Sequence, residues 1–130
     1  MEKPTSKRHF DIFKAEFLKW QKEFGLLSWK ITFVHGKAEP SARATIYFDV
    51  RSRQATVVLA DMWEYEIGHD FEFEVRQTAF HEAMELFVQR MVSMADGRIS
   101  NNRNAVEEEA HAIIRTLECV VFRRGNKKPI

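Results

Sequence analysis

The string Phe80-His81-Glu82-Ala83-Met84-Glu85 lies inside a stretch with helical periodicity. Residues four apart sit one turn apart on one helical face, so His81 and Glu85 can hold the same metal ion with Glu82 beside it. Zinc accepts carboxylate oxygen as well as imidazole nitrogen, and three protein ligands leave one coordination position open for chemistry. A buried helix whose His and Glu make ordinary hydrogen bonds explains the same string. A second constellation favours the metal: the final helical segment opens Glu107-Glu108-Glu109-Ala110-His111. There His111 borders the apolar stripe, and Glu107 and Glu108, four and three residues earlier, can share its face. The acidic triplet also suits the positive end of a helix dipole without any ligand role. A His beside an apolar stripe needs a polar partner, which a metal or a hydrogen bond supplies equally well.

These residues need elements to position them. Phe10, Phe13, Phe17, Trp20 and Phe24 recur at spacings of three and four, which predicts an amphipathic helix ended near Gly25. Trp29, Ile31 and Phe33 alternate with polar residues, as do the apolar residues of 42–50, and both stretches read as half-buried strands. Gln54 to Ala60 reads as a third strand, joined to the second by a turn at Arg51-Ser52-Arg53. A long helix is expected from about Asp70 to Ala95, stopped by Asp96-Gly97, followed by a polar loop over 98–104 and a last helix from about Ala105 to Phe122. The expected order is α-β-β-β-α-α, an α+β class with helices packed on a small antiparallel or mixed three-stranded sheet.

The chain of 130 residues and 15.3 kDa allows one domain, with an ordered core over about 8–123 and a solvated basic tail over 123–130. Twenty Lys plus Arg against nineteen Asp plus Glu give a net charge of +1, too little for a general phosphate-backbone binder. Nucleic acid, reached through Arg43, Arg51, Arg53 and the tail, is the weaker partner reading. Cys119, the one cysteine, cannot form an internal disulfide and is expected in a helix core. With no apolar leader and no run of about 20 apolar residues, no membrane partner is expected and the cytoplasm is the expected location. The acidic run Glu64, Glu66, Asp70, Glu72 and Glu74 reads as a solvated helix entry.

The strings His81 to Phe87 and Glu108 to Glu118 are the specific parts of a wider likeness that spans about residues 10 to 122. It takes in the opening helix, the Trp29 to Phe33 strand and the Ala44-Thr45-Ile46 strand. On these residues the chain resembles small phage-encoded metallopeptidases, relatives of the minimal zincins and the SprT-like proteins. The resemblance implies a zincin-like fold and a zinc-dependent hydrolase acting on peptide or protein in the host cytoplasm. It implies His81 and Glu85 as ligands, Glu82 as general base, and His111 or Glu108 as third ligand. His111 ranks first because Glu85 already supplies a carboxylate, and Glu108 or Glu107 then orients it. Glu85 stands where the family has a second His, a set that also suits other divalent transition metals such as manganese or iron.

Two consequences follow for substrate. An extended peptide can dock on a sheet edge by strand addition. For the oxyanion partner, Tyr65 and His69 are the candidates before the active helix. The competing reading is a catalytically degenerate accessory protein of the same fold that works by binding a partner.

Overall fold

In the computed structural model, which describes residues 2–64, 70–98 and 103–125, the first helix, α1, spans Lys7–Glu23. Its start is fixed reciprocally: Ser6 Oγ accepts from the His9 backbone N–H at 3.1 Å, and His9 Nδ1 accepts from the Ser6 N–H at 3.0 Å. Phe13, Phe17 and Trp20 form its buried stripe. Gly25, at φ +69°, turns the chain out of the helix. Gln21 then donates through Nε2 to the carbonyls of Leu26 and Trp29, both at 3.0 Å, which ties that turn to the next strand.

Among the described residues five strands follow or flank it: β1 Glu2–Pro4, β2 Lys30–Gly36, β3 Ala44–Asp49, β4 Gln54–Ala60 and β5 Met62–Glu64. The main sheet has the order β2-β4-β3, with β4 parallel to β2 and antiparallel to β3. The sheet is therefore mixed. The β3–β4 hairpin turns as its residues dictate: Asp49 Oδ1 accepts from the N–H groups of Arg51 and Ser52, and Arg53 takes a left-handed φ of 54°. The polar lead-in forms β1, which pairs antiparallel with β5 in a second small sheet.

Helix α2 spans Phe71–Arg98, and Asp70 Oδ1 accepts from the Phe73 N–H at 3.0 Å at its entry. The expected stop at Asp96-Gly97 does not hold. A single helical Gly costs about 1 kcal/mol relative to Ala, too little to end a helix already 25 residues long. Residues 99–102 of the expected loop, and 126–130 of the basic tail, lie outside the described residues. Helix α3 spans Arg103–Leu117 and continues not as α-helix to Phe122 but as a π-helical turn, Glu118–Phe122, then a helical turn Arg123–Gly125. Cys119 lies on the outside of that π-turn and is exposed, so it is not a core residue.

One core joins these layers. Ile46, Val57 and Leu59 of the sheet, Phe13 and Phe17 of α1, Phe80, Ala83 and Met84 of α2, and Phe122 belong to a single buried cluster. Phe80 packs at ring-centroid distances of 4.8 Å from Trp20 and 5.3 Å from Phe122. The class is α+β, and no helix among the described residues is long and apolar enough to cross a membrane. Because the Phe80 ring is fully buried where α1, α2 and the π-turn meet, Phe80→Ala is expected to destabilise the chain by about 3–5 kcal/mol in urea unfolding. A loss under about 1 kcal/mol would mean the three elements do not depend on that contact.

Candidate metal centre

Helix α2 turns its apolar side to the core and its polar residues toward β3 and α3. His81 stands at the centre of these. Its Nε2 lies 3.7 Å from Glu85 Oε1, one helical turn on, and its Nδ1 lies 3.4 Å from Glu118 Oε1 on the π-turn. His111 comes in from α3 with Nε2 3.5 Å from the same Glu85 oxygen, and the two imidazole centroids are 6.3 Å apart. Glu85 Oε1 thus faces both Nε2 atoms.

Glu82 lies beneath this line and is only 5% exposed. One ligand atom from each of His81, Glu82 and Glu85 lies within 4.8 Å of the others. Glu82 is bonded to Glu85, yet its Oε2 is buried without a hydrogen-bond partner among the described residues. A polar atom left so is costly unless it carries a proton or meets a ligand.

Electrostatics follow from these contacts. Burial, then the Glu85 charge and the bond to Glu85, push the Glu82 carboxyl well above the usual range. Burial would raise Glu85 too, but the bonds from His81 and Glu82 outweigh it and hold Glu85 below its ordinary value. Burial would lower His81, but hydrogen bonds to Glu118 and Glu85 and the nearby Glu82 and Glu85 charges raise it to about 10. Without a metal, His81 is an imidazolium clasped between two carboxylates.

The structure therefore brings His81, Glu82 and Glu85 together and sets His111 against the outer carboxylate of Glu85. Glu107 lines a cavity of about 250 Å³ with His111, Glu85, Phe48, Val88 and Ile114. Glu108 is exposed and lines neither that cavity nor the neighbouring one at His81. Tyr65 and His69, the oxyanion candidates, and Glu66 of the acidic run lie outside the described residues. Glu118 was not among the expected site residues, although it stands seven positions, two helical turns, after His111 and so repeats its face. Gln77 supports it, donating through Nε2 to Glu118 Oε2 at 3.2 Å.

Comparison with family models, with curated proteins and with solved structures finds no match to the chain.

The raised His81 value fixes a sign for stability. A folded value near 10 against 6.5 unfolded means that the clasp contributes fully below about pH 6.5 and is lost as pH rises toward 10. Glu82, also raised, adds a slope of the same direction from about pH 4.5 upward. In chelator, the urea midpoint of the chain is expected to fall between about pH 6.5 and 9, and His81→Gln is expected to flatten that fall. A midpoint that rises over this interval would contradict the clasp.

Proposed function

We propose that the chain is a zincin-like, metal-dependent hydrolase that cleaves peptide or protein substrates, with zinc as the first choice of metal and the cytoplasm as its location. The observation that carries this reading is the buried Glu82 carboxyl, one oxygen unpartnered, beside a His, Glu and His set. The donor chemistry suits an ion. Ligands about 2.0–2.2 Å from a tetrahedral centre sit about 3.3–3.6 Å from one another, and the two Nε2 to Glu85 contacts of 3.7 and 3.5 Å are close to that. Among the described residues the atoms that all lie within 4.8 Å of one another are those of His81, Glu82 and Glu85, so His111 would have to turn toward His81 to complete the set. His81, Glu85 and His111 would hold the ion, and Glu118 would orient His81 through its other ring nitrogen. Two neutral imidazoles and one carboxylate also suit manganese or iron.

When bound, the ion supplies a Lewis acid that polarises a scissile carbonyl and acidifies water. With a cation held beside Glu85, Glu82 would be able to ionise, as a base must, and would then take the proton of the attacking water and pass it to the leaving amine. The substrate chain has a natural seat. Among the described residues β3 pairs only with β4, so its other edge is open for strand addition, and α2 packs against it. Cavities that include His81 at one end and His111 at the other meet β3 at Ala44 and Phe48.

Protein purified without chelator is expected to retain close to one divalent ion per chain. Glu82→Gln should keep that ion and its stability while hydrolysis falls by roughly 10² to 10⁴-fold; loss of the ion instead would make Glu82 a ligand. His111→Ala should lose the metal and Glu108→Ala should keep it, and the reverse result would exchange their assignments. Glu118→Gln is expected to weaken metal binding by roughly 10 to 100-fold. A chain that binds no metal in this assay is the accessory protein of the competing reading.

A further inference from the structure

Arg43 immediately precedes the edge strand β3 and shares the walls of a cavity of about 360 Å³ with His81, Glu82 and Glu118. The other polar side chains of that wall are committed. Gln77 donates to Glu118, and Thr78 Oγ1 donates to the Glu74 carbonyl at 2.8 Å. Among polar groups Arg43 is held by charge alone: its guanidinium forms an ion pair with Glu74 at 3.8 Å from Oε1, beyond hydrogen-bond reach, and its N–H groups donate no side-chain hydrogen bond among the described residues.

The group is nevertheless held in place. The Trp63 ring lies under the guanidinium, 4.8 Å from ring centroid to Cζ, while the Trp63 indole N–H donates to the Arg43 carbonyl at 3.0 Å. Trp63 is itself 2% exposed, so one rigid side chain fixes both ends of Arg43. A guanidinium with a fixed orientation and free donors is a fork matched to a carboxylate, which it can bind through two parallel N–H···O bonds. The Glu82 and Glu118 carboxyl groups in the same walls favour a singly charged planar anion over a more highly charged one.

We propose that Arg43 is the anchor for a carboxylate of the peptide substrate, an acidic side chain or a free C-terminus, on the Ala44 side of the bond to be cleaved. The assignment rests on the peptidase reading for its substrate but not for its binding chemistry. Arg43 acts here as a specificity residue, reading the peptide laid along β3 at the end opposite the Phe48 cavity.

The test uses the full chain and three hexapeptides, Ala-Ala-Leu-Ala-Ala-X with acetyl caps, in which X is Glu-amide, Gln-amide or Gln with a free carboxylate. In NMR titrations of the metal-free protein, at least one carboxylate peptide is expected to bind roughly tenfold more tightly than Gln-amide. Whichever of the two binds more tightly identifies the source of the carboxylate. The difference should vanish in Arg43→Gln and survive in part in Arg43→Lys. Equal affinities for all three on the unaltered chain overturn the anchor, a result that needs no variant to fold. The same peptides with zinc-loaded protein separate the two readings. Carboxylate discrimination without cleavage sinks the peptidase and keeps the anchor, while cleavage without discrimination does the opposite.

Discussion

A carboxyl group cannot be sunk into an apolar helix face without bringing its own polar surroundings, and the position of Glu82 imposes that condition on the protein. Its neighbours Ala83 and Met84 are fully buried, as is Phe80 two residues earlier. Glu85 is the first partner α2 can offer, one turn of backbone away from His81 and bonded to Glu82 as well. A second carboxylate close to the first needs positive charge, which His81 provides, and His81 in turn uses both ring nitrogens. The polar side of α2 is thus closed only when α3 and the π-turn are docked against it, bringing Glu118 and His111.

The π-turn makes that docking compatible with the core. In a regular α-helix Phe122 would be rotated well past the side of Ile114, which is 1% exposed. A π-turn advances each residue less around the axis, so Phe122 stays on the buried side while Glu118, at the turn's start, still faces His81. Phe122 is fully buried between Trp20, Phe73 and Phe80. A local irregularity therefore serves a polar and an apolar contact within five residues, and such bulges are concentrated at functional sites.

What could be read from the chain alone follows the range of the interaction. Helical and strand periods are local, so α1, α2, α3 and the three long strands are legible in their apolar spacing, and the Arg51-Ser52-Arg53 turn in its residue types. The pairing of β4 between β2 and β3 is not, because alternation says which face of a strand is buried and nothing about its neighbour. Three-residue strands such as β1 and β5 carry too few positions for any period. At the site, His81 and Glu85 are visible as residues four apart, and His111 as a polar group beside an apolar stripe. Glu118 is hidden among the exposed-looking charges of the last helix, and Arg43 among the polar positions that alternate along the second strand. Their significance lies in contacts between segments 20 or more positions apart.

The charge of the cluster is consistent with an exchange of protons for a cation. Without metal, the imidazolium of His81 offsets one of the charges of Glu85 and Glu118, and Glu82 is held neutral by burial and by Glu85. Removing the protons of His81 and Glu82 and adding one divalent cation leaves the summed charge of these four groups unchanged. A low-dielectric site tolerates a change of occupant far better than a change of charge. Such an exchange would place a proton on one side of each equilibrium, so that affinity for a cation would rise with pH as those two protons are given up. Glu118 decides how the exchange is oriented: by accepting from Nδ1 it keeps the remaining imidazole proton on that side and leaves the Nε2 lone pair directed at Glu85 and His111, where a cation would be shared.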